Sequence, residues 1–78
     1  MNIKLLKEKM FFASDTQVKL AKYLEVSENC MSQKMNGKVQ FKAEEIAKIA
    51  WKYDLTAQET YDIFFGEGGE VIEESYRG

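Results

Sequence analysis

Five short polar side chains, Glu28, Asn29, Ser32, Gln33 and Asn36, recur at spacings of three and four within the stretch ENCMSQKMN. On a helix of 3.6 residues per turn they gather on one side, opposite Met31 and Met35, with Val26 just ahead of the apolar face. A face that only needs solvation is usually built from lysine and glutamate, which are strong helix formers; serine and asparagine are weak ones. Amides and hydroxyls do carry the donors and acceptors that read base edges in a DNA major groove. Asn and Gln pair bidentately with adenine, Ser serves either base, and a glutamate accepts from the cytosine amino group. The alternative for this row is an ordinary solvated face.

Other chemistry is thinly provided. The chain has no histidine and one cysteine, so no internal disulfide and no zinc constellation can form. Serine and cysteine nucleophiles lack the neighbouring base they usually need, and no carboxylate is singled out by spacing. An enzyme is not expected, nor a cofactor or metal. Cys30 reads as a small apolar filler rather than a redox switch.

The elements that must position the polar row are helical throughout. A chain of 78 residues makes one domain, and a domain of that size buries only about 60% of its unfolded surface. Its composition, 45% hydrophobic and 31% charged, is that of an ordinary globular protein. It contains no run long enough to span a membrane, and the start, MNIKLLKEKM, lacks the features of an export signal, so a cytoplasmic protein is expected. There is no proline, and breaks must be read from glycine and caps. Ile3, Leu6 and Met10 behind Asn2 predict helix one, ending near FFASD. Thr16 caps helix two, TQVKLAKYL, with Leu20, Ala21 and Leu24 inward; Ser27 caps helix three, which NG closes. Helix four, AEEIAKIAWKY, sets Ala43, Ile46, Ala47, Ala50 and Tyr53 on one face with Ile49 and Trp51 beside it. Thr56 and Glu59 form a capping box that opens helix five, running through Phe65. Met31, Met35, Trp51 and the aromatics of helix five read as core. The organisation is thus an all-α domain over residues 1–65 and an acidic, glycine-rich tail over 66–78, flexible or ordered by a partner.

Charge is divided along the chain. Residues 1–42 carry eight lysines against four acids, and residues 43–78 carry three cations against nine acids. The amino-terminal half could therefore face a polyanion that the other end repels.

Taken together, TQ opening the second helix, LA within it, VS opening the third, NGK closing it and IAKIA in the fourth resemble the helix-turn-helix of phage repressors and Cro proteins. This is the lambda-repressor-like family of XRE-type regulators, and the resemblance covers about residues 3–65. It implies a five-helix bundle with its third helix in the major groove and its second crossing the backbone. Carried onto this chain, Glu28, Asn29, Ser32 and Gln33 would face bases. Gln17 would donate to a phosphate and brace Glu28 or Asn29, Asn36 and Lys38 would hold the backbone, and Lys34, Lys42 and Lys19 would add phosphate contacts. The ending YDIFF resembles a phage Cro-like repressor in particular. Several positions depart from the family pattern, among them Glu28, which puts a carboxylate where the duplex is most negative. Glu25 stands where glycine is usual, costing about 1 kcal/mol if that backbone is left-handed, and Lys42 replaces the Ser or Thr that often caps the fourth helix.

The implied function is a sequence-specific transcriptional regulator, a phage or prophage repressor acting on a double-stranded operator without cofactor. Specific action would need two copies on half-sites about 34 Å apart. The expected homodimer surface is carboxy-terminal: Tyr61, Phe64 and Phe65, with Val71, Ile72 and Tyr76. The competing function is a protein-interaction module on the same fold, antitoxin-like, docking through its acidic tail.

Overall fold

The computed structural model describes residues 1–66; the tail from residue 67 on, with the interface positions Val71, Ile72 and Tyr76, lies outside the described residues. Five helices follow one another, α1 (Ile3–Phe12), α2 (Gln17–Leu24), α3 (Glu28–Met35), α4 (Ala43–Lys52) and α5 (Ala57–Phe64), with no strand among the described residues. Local chemistry starts them where the sequence indicates. Asn2, Thr16, Ser27 and Thr56 each accept a hydrogen bond from the backbone N–H three residues on, satisfying one of the amides a helix start leaves free. At α5 the reciprocal bond is also made, from the Thr56 N–H to the Glu59 carboxylate at 2.9 Å. Lys42 supplies no side-chain cap to α4; its own N–H instead donates to Glu45 at 2.8 Å, one half of a capping box.

One closing device recurs at the end of α1, α2, α3 and α4. A residue in the left-handed region, Ser14 (φ 56°), Glu25 (φ 60°), Gly37 (φ 78°) or Asp54 (φ 53°), turns the chain. The next N–H then reaches back to a carbonyl five residues earlier, as from Val26 to Ala21 at 3.0 Å and from Lys38 to Gln33 at 2.9 Å. This is the Schellman closure, which glycine favours because it has no Cβ to clash. Only Gly37 meets that preference, so the other three turns each carry a side-chain penalty of about 1–2 kcal/mol.

The core is Leu6 and Met10 of α1, Leu20, Ala21 and Leu24 of α2, Met31 and Met35 of α3, Ile49 of α4 and Ile63 of α5. Burying each large member stabilises by about 1.5–3 kcal/mol. Polar links then fix the helices to one another. The Asn2 N–H donates to the Ile63 carbonyl at 2.7 Å, Lys9 pairs with Glu59 at 2.7 Å, and the Tyr23 hydroxyl donates to the Lys48 carbonyl at 3.2 Å.

Helix α4 is rotated from the expected face. Glu45 and Ile49 are buried and Ile46, Ala50 and Tyr53 half-buried, whereas Ala43 and Ala47 are exposed. Trp51, expected in the core, is 85% exposed. The inward line is Glu45, Ile49 and Tyr53, one every four residues, and it leaves Trp51 on the far side. The aromatics of α5 divide: Phe64 turns inward with its ring edge on Phe41, while Tyr61 and Phe65 are exposed and lie beside each other, ring centres 6.0 Å apart.

Candidate nucleic-acid interface

Helices α2 and α3 are joined by three residues, Glu25, Val26 and Ser27. Glu25 makes the left-handed turn, Val26 packs half-buried against the core, and the Ser27 hydroxyl accepts the Cys30 N–H at 3.0 Å. Each residue of the turn therefore has a task, which sets how α3 leaves α2. At its other end α3 is closed by the Gly37 N–H to the Lys34 carbonyl and the Lys38 N–H to the Gln33 carbonyl. Only Gly37 uses the left-handed conformation there; Asn36 sits at φ −89°.

With Met31 and Met35 buried beneath it, α3 presents Glu28, Asn29 and Gln33 exposed, Ser32 half-buried at the edge, and Asn36 exposed just past its end. Among the described residues, the side-chain hydrogen bonds of α3 and its cap come from Ser27 and Lys34, not from the polar row. The side-chain amides of Asn29 and Gln33 therefore make no hydrogen bond among the described residues. Gln17 is exposed at the first position of α2 but makes no hydrogen bond to Glu28 or Asn29, so it braces neither. Lys19, Lys38 and Lys42 are exposed. Lys38 and Lys42 flank the segment that leads from α3 to α4, and the Lys19 ammonium lies 3.4 Å from the Ser14 carbonyl.

Lys34 is not available for a phosphate. Only 3% of it is exposed, and its ammonium meets Glu45 Oε1 at 2.9 Å, the Gln40 carbonyl at 3.4 Å and the face of Phe41 at 5.7 Å. Burial by itself would push the Glu45 carboxyl up. The bonds from Lys34 and from the Lys42 backbone, with the charges of both lysines, outweigh it and hold the group below its ordinary range.

A second polar cluster braces the far end of α2. Asp15 accepts the Tyr53 hydroxyl at 2.6 Å and lies 3.6 Å from the Lys52 ammonium, which stands over the Tyr23 ring at 4.7 Å. Burial, then the bond and charge of Asp15, raise Tyr53 well above the ordinary tyrosine range, so it remains a neutral donor. Neither cluster was foreseen from the sequence: Lys34 and Glu45 are eleven residues apart and Asp15 and Tyr53 thirty-eight, outside any helical repeat.

Among the described residues no cluster of histidine, cysteine, aspartate and glutamate could hold a metal, and no helix is long and apolar enough to cross a membrane. Cys30 is half-buried at the margin of the polar face. The family model described as "Protein of unknown function (DUF739)" matches residues 2–67. No curated protein and no solved structure matches the chain.

Proposed function

The chain belongs to the DUF739 family, and we propose that it is a sequence-specific DNA-binding regulator that reads duplex DNA with α3 in the major groove. The observation that carries this reading is the division of α3. One side is anchored by Met31, Met35 and Lys34, and the other offers short amides and a hydroxyl with no partner within the described fold. Side chains of that kind match base edges, and the three-residue turn from α2 is the connection that holds a recognition helix clear of its neighbours. Together with the resemblance to lambda-repressor-like regulators, this supports a Cro-like repressor that occupies an operator as a homodimer. Glu28, Asn29, Ser32 and Gln33 are its base readers, and Gln17, Asn36, Lys38, Lys42 and Lys19 its backbone contacts. Tyr61 on α5 and Phe65 just past its end, both more than half exposed, are the described part of the dimer surface.

The exposed aromatics Phe11, Phe12 and Trp51 favour a second reading, a protein-interaction module. Selection from a randomised duplex library separates the two. A reader enriches a defined sequence and loses the preference in Gln33→Ala, by about 1–3 kcal/mol at the affected base pair. An interaction module enriches nothing.

A further inference from the structure

The buried ion pair beneath α3 is unused by the reading just given, and its geometry is that of a joint. Glu45 Oε1 accepts both from the Lys34 ammonium at 2.9 Å and from the Lys42 backbone N–H at 2.8 Å. The same ammonium reaches the Gln40 carbonyl at 3.4 Å. One oxygen and one nitrogen thus fasten three points: the last turn of α3, the connecting segment at Gln40 and the first turn of α4. The Schellman closure of α3 secures only the near end of that segment, through Lys38 and Val39 to the Gln33 carbonyl at 2.9 and 3.3 Å.

We propose that Lys34 and Glu45 are positioning residues, which set the backbone-gripping segment 36–42 in register with the base-reading face of α3. The proposal rests on the DNA reading above. Asn36, Lys38 and Lys42 lie on this segment, and Gln33 is the neighbour of Lys34 in sequence, so the pair stands between the two kinds of contact. Stability alone gives little reason for two charges here, because well-packed apolar residues of similar size usually serve a buried site equally well or better. Apolar packing is non-directional. A charge-assisted hydrogen bond is directional, and a shared oxygen fixes both its donors at once.

The test compares Lys34→Met/Glu45→Leu, whose apolar pair keeps the site filled, with Glu45→Gln, which keeps an acceptor in the same place. Amide exchange without DNA is read at Lys38 and Val39, whose acceptor neither variant alters, with Leu20 and Met31 as controls. The folded double variant is expected to exchange about tenfold faster at 38 and 39 with unchanged controls, and Glu45→Gln, which leaves the Lys34 charge unpaired, to accelerate 38 and 39 by no more than about threefold beyond its own Leu20 and Met31 controls. On the duplex enriched by the parent chain, the double variant is expected to lose about tenfold in affinity while its binding to scrambled duplex holds. Unchanged exchange at Lys38 and Val39 in both variants, or an equal loss on both duplexes, overturns the positioning role. A parent chain that enriches no sequence overturns the DNA reading beneath it, whatever the amides do.

Discussion

Removing the Lys34 ammonium while leaving Glu45 in place is the most exposing perturbation of this fold. In Lys34→Met the stem is retained, so little packing is lost, but a carboxylate whose side chain is 8% exposed loses its counter-ion. Breaking a buried pair in this way costs about 3–5 kcal/mol. Glu45 keeps the Lys42 N–H at 2.8 Å, which places the expected loss near the lower end, about 3 kcal/mol. For a domain of this size that corresponds to a fall in Tm of roughly 12–24 °C. Replacing both partners, as Lys34→Met/Glu45→Leu, should restore stability to within about 1 kcal/mol of the parent or beyond it. The pH dependence has a definite sign. The folded state holds Glu45 below the ordinary value of 4.5, so the unfolded chain takes up its proton first. The stabilisation from this group is complete above the ordinary value and is lost as pH falls through the depressed one. Thermal melts at neutral pH and through the acid range, on the parent, the single variant and the double, measure all of this. A single variant that loses less than about 1 kcal/mol, or a double as unstable as the single, would refute the buried joint.

Three further perturbations probe other links. Lys38→Ala and Lys42→Ala should weaken binding to every duplex alike and each reduce the log–log salt slope by about 0.9; a loss confined to one sequence would make them base readers instead. Glu25→Gly should stabilise by about 0.5 kcal/mol, since relief of the left-handed penalty exceeds the extra unfolded-state entropy; a destabilised variant in thermal melts would mean that the Glu25 side chain contributes more than its turn costs. Tyr61→Ser/Phe65→Ser should shift equilibrium sedimentation toward monomer; a parent chain that stays monomeric at high concentration, with its selected duplex present or absent, removes the dimer.

Four of the five helix starts were legible because each is set by one side chain and the amides of its own first turn: Asn2, Thr16, Ser27 and Thr56 all act within three residues of themselves. The polar face of α3 was legible for a similar reason, since its two methionines are four apart. What was not legible depends on partners distant in sequence. Lys34 resembles any surface lysine until Glu45, across a connecting segment, is seen to draw it inward. Glu45 lies on the buried line of α4 with Ile49, and so a face read from alanine and isoleucine alone is rotated from the observed one, which leaves Trp51 exposed. Apolar type is a good guide to which helices have a buried face and a poor guide to its angle when a charge shares that face.

An eight-residue helix that includes three weak helix formers, Asn29, Cys30 and Ser32, could not hold its shape in water alone. The order of α3 is supplied from outside its polar row, by the Ser27 cap, the Gly37 closure, Met31, Met35 and Lys34. None of these anchors uses the side chain of Glu28, Asn29, Ser32 or Gln33. The face that would meet DNA is thereby separated energetically from the face that holds the helix. Gln33→Ala, which should abolish a preference among duplexes, should accordingly leave stability within about 0.5 kcal/mol of the parent. A melt lowered well beyond that range would mean that Gln33 serves the fold, and the loss of preference would then follow from a displaced helix rather than from a lost contact to a base.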